Sequence, residues 1–408
     1  MSARLGLGVI GAGAFGRFVS QAVADVPGLA ISAVADVDLA CAAALANKHG
    51  ARAVADWPAL LDDPSVHVVV VATPPATHAA VAIRALTAGR HVFCEKPLAT
   101  NVADAELIRA AVASSGAVLV VDHVLRYNPL LRLLALLRET GVLGPVEHFT
   151  FDNDAADEGL GPDHWFWDES ISGGIFIEHG VHFFDACHLL MGSRPESVVA
   201  LHGSRPDGRV DSVVAATRHP GGALATFAHA FTHPQRCERQ LMRLDFGCAE
   251  ARIHGWIPVR AGLDVWTDDA GLQTLAAMPG RAAELLAVPG FHPSGAERIE
   301  VAVTRDAGPS HARSRDVIHH VPHYLDIKLD LGGGAAKGRV YAQSVRAAMH
   351  DLVECVGSGR RPVAGAEEGC SSVAVAEAAR RSATQSRTID LTWPAPALPE
   401  SLLNGVAL

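Results

Sequence analysis

Two residues in this chain have types and surroundings suited to moving a proton: Lys96 and His182. The chain carries its positive charge almost wholly as arginine, with lysine only at Lys48, Lys96, Lys328 and Lys337. A guanidinium keeps its proton near neutrality, whereas an ammonium can release one and shifts readily on burial. Lys96 lies in Val92-Phe93-Cys94-Glu95-Lys96-Pro97, an apolar run stopped by a charged pair and a proline. A solvated Glu-Lys pair in a loop is the plain alternative.

His182 lies in the second dense stretch, which runs from Gly173-Gly174 to Asp185. A helix from about Ile177 puts Glu178 and His182 four apart and Asp185 three further on, all on one face. A carboxylate on either side can orient an imidazole and raise its basicity, and histidine is the commonest general base. Phe183, Phe184, Leu189 and Leu190 supply the buried side. Gly180 is costly inside a helix, which suggests close approach of a backbone or ligand. A metal reading of Glu178, His179, His182 and His188 lacks H-E-x-x-H and any matching cysteine set, so no metal is expected. Among 21 histidines, His188, His319 and His320 read as structural.

The elements that must bring these residues together begin with the apolar run Leu5 to Ile10. Gly11-Ala12-Gly13-Ala14-Phe15-Gly16 and a helical pattern follow it. Strand, G-x-G-x-x-G and helix make the dinucleotide fingerprint, with the helix N-terminus free to receive phosphates. A second strand, Ala30 to Ala35, ends at Asp36, where a carboxylate accepts from a ribose diol and repels a 2′-phosphate. NAD is therefore expected over NADP. Val66 to Ala72 is a continuous apolar run, as in a parallel strand covered on both faces. Thr73-Pro74 breaks it before a helix, Ala76 to Ala88. His91 to Cys94 and Ala117 to Val121 are further strands around a helix, Asn101 to Ser115. The pattern predicts a doubly wound parallel sheet with its ligand crevice at the carboxyl ends of the strands. Gly11, Asp36, Thr73 and Lys96 all fall at such ends. The glycine turn from Gly11 to Gly16, Asp36, Thr73, Pro74, His78, Glu95 and Lys96 are the expected cofactor contacts.

After Asp122 the pattern changes. A helix at Leu130 to Glu139 precedes a strand-rich part: Val146 to Phe151, Ser197 to His202, Val210 to Thr217, Gly222 to Phe231, Arg239 to Phe246, Ala251 to His254, Val259 to Trp266 and Arg298 to Thr304. The expected division is a dinucleotide-binding part over 1–124 and an α+β part with a large, mostly antiparallel sheet over 125–408. Residues 270–309 read as an insertion with one helix, and helices near Ala342 to Val356 and Gly369 to Ala383 close the chain. Asp122, Arg126, Tyr127, Asn153, His164, Trp165 and Asp168 form a polar set suited to a polyol.

Composition excludes several classes. The 408 residues are 49% hydrophobic and 19% charged, with net charge -10 and no basic run, so no nucleic-acid partner is expected. No apolar run reaches the roughly 18 residues of a membrane span. No targeting segment is evident at the start. Seven scattered cysteines without C-x-x-C suggest reduced thiols and a cytoplasmic protein.

The order of signals resembles the glucose–fructose oxidoreductase / inositol dehydrogenase / rhizopine-catabolism (Gfo/Idh/MocA) family over nearly the whole chain. The likeness rests on Gly11 to Gly16, Thr73-Pro74 with His78, Gly89-Arg90-His91-Val92 leading into Glu95-Lys96-Pro97, Gly173-Gly174 through Asp185, and Glu377-Ala378-Ala379 with Ser382. Many members have aspartate where this chain has Glu178. The resemblance implies a Rossmann part, a larger open-faced α/β part, an active site between them, and pairing of subunits into a homodimer or homotetramer. It implies hydride transfer between NAD and a secondary alcohol of a sugar or cyclitol. His182 would take the proton, Lys96 would stabilise the oxyanion, and Glu178 or Asp185 would orient His182. Substrate contacts would be Lys96, Asp122, Arg126, Tyr127, Trp165 and His182. Redox-neutral epimerisation or glycoside cleavage needs the same residues, and a dinucleotide-sensing regulator is a further alternative.

Overall fold

The computed structural model describes residues 4–305, 308 and 310–393. The first sheet has six parallel strands: β1 Leu5–Ile10, β2 Leu29–Ala35, β3 Arg52–Val54, β4 Val68–Val71, β5 His91–Cys94 and β6 Leu119–Val121. Their order is β3-β2-β1-β4-β5-β6, the doubly wound arrangement. The four valines of β4 have no exposed surface, because helices cover both faces. These helices are α1 Ala14–Val23, α2 Leu39–His49, α3 Trp57–Leu61, α4 His78–Thr87 and α5 Val102–Ser115. Asp38 caps α2 by accepting from Ala40 and Cys41 N–H, and Asn101 caps α5 by accepting from Asp104 N–H.

Helix α6, Pro129–Thr140, leads to the second sheet. Its strands are β7 Val146–Ala156, β8 Ser197–Ser204, β9 Val210–Arg218, β10 Leu224–His233, β11 Arg239–Phe246, β12 Ala249–His254, β13 Arg260–Thr267, β14 Arg298–Arg305, β17 His323–Asp330 and β18 Ile389–Asp390. Strands β15 His311–Ser314 and β16 Val317–His320 form a separate hairpin. The ten-stranded sheet runs β14-β17-β13-β12-β11-β7-β10-β9-β8-β18, antiparallel except where β7 meets β10. Residues Phe149, Phe151, Asn153 and Ala155 of β7 alternate inward. Between the sheet and the Rossmann part lie a short helix α7, Glu169–Ser172, and α8, Val181–Met191. Phe183 stacks on Phe151 with centroids 3.6 Å apart, and Phe184 meets Phe227 at 4.7 Å. These contacts press α8 onto the centre of the large sheet.

Two expectations change. Residues 270–309 are not one insertion. Helices α9 Asp269–Ala276 and α10 Ala282–Leu285 precede β14, which is an edge strand of the large sheet; Pro309 lies outside the described residues. Strand β17, with Leu325, Ile327 and Leu329 buried in alternation, adds a strand beyond those expected, and its period of two is visible in the sequence. The closing helices α11 Lys337–Ser358 and α12 Ala366–Gln385 return to the first sheet. Val121 N–H donates to Ala364 O at 2.8 Å, Val102 N–H to Glu377 Oε2 at 2.7 Å, and Tyr341 packs on Phe18 at 4.6 Å.

Candidate active site

The turn after β1 is shaped by its glycines. Gly11 has φ +99°, and a Cβ there would meet Ala72 O at 2.4 Å. A Cβ on Gly16 would fall 1.9 Å from Gly11 O, so α1 can pack this close only with glycine. Gly13 is different, because nothing lies within 4 Å of its would-be Cβ. It also heads α1 with no side-chain cap, which leaves helix N–H groups facing open space. The Asp36 carboxylate accepts from Ala12 N–H at 2.6 Å and from Asp38 N–H at 2.9 Å, which places it beside the turn at the end of β2. A pyrophosphate over Gly13 and a ribose at Asp36 fit this cradle, with Ala14 and Phe15 in the first turn of α1.

His78 is turned into the protein. Its ring has no exposed surface, and its two nitrogens lie 2.7 Å from Pro97 O and 2.8 Å from Thr73 O. Burial lowers its pKa, opposed by the two carbonyls and aided by Lys96. The ring ties the loop after β4 to the loop after β5, so it holds Thr73-Pro74 in register with Lys96-Pro97, whose peptide bond is cis.

Lys96 Nζ donates to the Glu178 main-chain oxygen at 3.0 Å and to Glu178 Oε1 at 2.7 Å. Both side chains are nearly buried, at 11% and 13% exposure. Burial pulls the ammonium pKa down, but Glu178 and Glu95 outweigh it and the net direction is up. Lys96 is thus held as a cation. An ammonium has three N–H groups, and Glu178 takes two of them.

Glu178 sits in a π-turn, Phe176–Gly180, that feeds directly into α8. Such turns carry an extra residue and recur at functional sites. The turn follows Gly173 and Gly174, both at φ +82°, where a Cβ on Gly173 would strike Ile177. The added residue breaks the single stripe expected of Glu178, His182 and Asp185. Glu178 goes to Lys96, while Asp185 takes Arg126, whose Nε lies 2.9 and 2.8 Å from the two carboxylate oxygens. Neither carboxylate holds His182. Gly180 meets the ring of its own helix's Phe184, 3.1 Å from a would-be Cβ, and the main-chain oxygen of Ile175 at 3.6 Å.

His182 is 7% exposed and makes no hydrogen bond to a described residue. Its ring lies 6.0 to 6.4 Å from those of Phe183, Trp256 and His179. Burial pushes its pKa well below the usual imidazole value, and the Lys96 ammonium pushes it the same way, as do His179, His123 and His229. The ring is therefore neutral near neutral pH, the form a proton acceptor needs, and within the field of Lys96.

The expected substrate contacts divide. Tyr127 is 2% exposed and donates to Asp351 Oδ2 at 2.8 Å, so its hydroxyl braces α11 and is withdrawn from any ligand. Asp122 is 1% exposed and turned towards Glu95. Arg126 is committed to Asp185. Trp165 lies on an outer turn beside His164 at 5.4 Å, and no ring contact or hydrogen bond joins it to Lys96 or His182. Asn153 remains, with a buried Nδ2 lacking a partner, opposite His229 in the β7–β10 register. His229 has both ring nitrogens unpartnered, and His179 has Nε2 unpartnered. Trp256, Tyr341 and Lys337 also gather here. The Trp256 and Tyr341 rings lie 5.2 Å apart, and Lys337 Nζ lies 5.5 Å from the Trp256 centroid. They come from β12's following turn and from α11, and no local spacing in the sequence links them to the site.

Comparison with known proteins follows this geometry. The family described as "Oxidoreductase family, NAD-binding Rossmann fold" matches residues 5–123, and the GFO/IDH/MocA C-terminal domain matches residues 131–254. A levoglucosan dehydrogenase of Pseudarthrobacter phenanthrenivorans is 32% identical over 200 residues, 46% of this chain and 51% of that protein. An inositol 2-dehydrogenase of Rhizobium meliloti is 34% identical over 203 residues, 49% of this chain and 58% of that protein. The chain thus spans little more than half the length of these two relatives. A solved levoglucosan dehydrogenase in complex with NADH and levoglucosan has a TM-score of 0.72 at 22% identity, covering 95% of this chain and 99% of that one. An aldose-aldose oxidoreductase from Caulobacter crescentus has a TM-score of 0.70 at 21% identity, covering 95% and 100%. At these identities the structures share the fold.

Proposed function

The chain belongs to the GFO/IDH/MocA oxidoreductase family, and on that premise we propose that it transfers hydride reversibly between NAD and a secondary alcohol of a sugar, sugar derivative or cyclitol. The observation that carries this reading is the Lys96–Glu178 clamp. It fixes an ammonium with one N–H uncommitted in the same buried cluster as a neutral His182. NAD, when bound, supplies the hydride acceptor. His182 accepts the hydroxyl proton, and the remaining N–H of Lys96 donates to the oxygen as charge develops there. Glu178 keeps Lys96 charged and aimed. Phe183 and Trp256 exclude water around His182.

Asp36 supports NAD over NADP, since its carboxylate would repel a 2′-phosphate. Asn153, His179 and His229 are suited to polyol hydroxyls, because neutral imidazole and amide groups each donate and accept. The division at residues 124 and 125 separates cofactor from substrate functions, with α11 spanning both. Val199, Leu201, Val214, Trp266 and Val303 are exposed along the large sheet and support pairing with a second copy. The seven free cysteines support a reducing, cytoplasmic setting; among the described residues no helix is long and apolar enough to cross a membrane.

A panel of sugars, sugar acids and cyclitols with NAD and NADP tests the proposal by the near-ultraviolet absorbance of the reduced cofactor. Turnover with at least one polyol is expected, faster with NAD. Cofactor binding without turnover on any member would overturn it. Substrate conversion without net absorbance change would replace it with redox-neutral chemistry.

A further inference from the structure

Glu95 and Asp122 follow the last residues of β5 and β6, which pair in register as Cys94 with Val121. Asp122 N–H donates to Cys94 O at 2.8 Å, so the two residues are locked side by side. Glu95 Oε2 and Asp122 Oδ1 are both buried, and neither receives a hydrogen bond from any N–H or O–H group of another residue. Each carboxyl group is among those that shift the other's pKa, so the two face each other at the strand ends. Ionised carboxylates only accept, so two anions here would leave both oxygens without a donor, whereas one proton held between them supplies it.

The surroundings require the same conclusion. Lys96 is the cation facing the pair, and two of its N–H groups already serve Glu178. From α11 the Tyr341 hydroxyl faces Glu95, Asp122 and Glu178, and from β5 the Cys94 thiol faces Glu95 and Asp122. Both groups stay protonated, with burial and then these acids pushing their pKa values up. His123 and His182 are neutral rings, their pKa values lowered chiefly by burial and further by Lys96. With Glu95, Asp122 and Glu178 all ionised, one ammonium would face three buried carboxylates, and a buried charge without a partner is costly.

We propose that Glu95 and Asp122 are a proton-sharing carboxyl pair that positions the Lys96 charge and takes up a proton when the bound nicotinamide passes from its oxidised to its reduced form. This rests on the reading that the nicotinamide ring lies beside the Lys96 turn. Burial raises Glu95 to about 7, with Lys96 opposing, and burial followed by Glu95 raises Asp122 well above the carboxylate range. The pair can therefore hold one proton or two. A cationic ring nearby favours the one-proton anion, and a neutral ring favours the two-proton form. Oxidation of a secondary alcohol sends a hydride with two electrons to the ring and a proton from the hydroxyl to His182. The ring loses one positive charge, and one proton moving from His182 or solvent to Glu95 restores the balance. Glu95 and Asp122 act through Lys96 and are positioning residues.

Infrared spectroscopy of the intact protein near neutral pH, combined with calorimetry in two buffers of different protonation enthalpy, tests this. The cofactor-free protein should show the carbonyl stretch of a protonated carboxylic acid, reduced in Asp122→Asn and, independently, in Glu95→Gln. NADH binding should take up more protons than NAD binding, and the difference should vanish in both variants. Absence of the protonated-acid band in the unaltered protein would overturn the pair, without reference to any variant's folding. A band present with equal proton uptake for NAD and NADH would overturn the redox link and remove the ring from the Lys96 turn, while leaving the Rossmann cradle untouched.

Discussion

The ammonium of Lys96 is bonded to both the main-chain oxygen and the carboxylate of Glu178, a residue 82 positions further along the chain. One residue lies in the loop after a Rossmann strand and the other belongs to a π-turn that feeds α8. The clamp therefore joins the Rossmann part of the molecule to the part built on the large sheet.

Replacing His182 with alanine removes the proposed proton acceptor without touching the dinucleotide cradle. Turnover should fall by about 10²–10⁴-fold, as for removal of a general base. NAD affinity, measured by fluorescence titration, should hold. A parallel loss of NAD binding would contradict the role.

Glu178→Gln removes one of the two chief charges that keep Lys96 protonated. Burial then acts against fewer opposing anions, so the Lys96 pKa must fall. The sign is definite: the alkaline limb of kcat/KM should move to lower pH. Its position, read from a pH–rate profile, should stay put if Glu178 is merely structural.

Gly13→Val and Gly16→Ala separate ligand approach from packing. The first adds a side chain into open space at a residue with φ −65°, so the fold should persist while NAD affinity drops about tenfold or more, near 1.4 kcal/mol. The second drives a Cβ into Gly11 O, and thermal denaturation should show a large loss of stability.

Tyr127→Phe strips Asp351 of a buried donor, though Val363 N–H and Arg360 still reach that carboxylate. A cost of about 1–3 kcal/mol in denaturant unfolding is expected. The KM for substrate should change little, in contrast to what a substrate-contact role would give.

Arg126→Met leaves the fully buried Asp185 carboxyl group without its guanidinium. Loss of one member of a buried pair costs about 3–5 kcal/mol. Chemical denaturation should show this, and Asp185→Asn in the same background should recover part of it.

The chain by itself determined the features whose physics is local. The glycines from Gly11 to Gly16 are required within one strand–turn–helix, so their spacing carries the cradle. Continuous valine in β4 announces burial on both faces, and strict alternation announces most of the large sheet. Lys96 stands out because the chain uses so few amines. Tertiary structure decided the pairings. The α-helical period predicts one stripe for Glu178, His182 and Asp185, but a single extra residue in a π-turn reassigns both carboxylates, to Lys96 and to Arg126. Tyr127, Asp122 and His78 read as ligand contacts because they are polar residues in the segments that follow β6 and β4. Their partners, Asp351, Glu95 and two loop carbonyls, are chosen by how distant segments pack, and that choice is made by burial and hydrogen-bond satisfaction across the folded molecule.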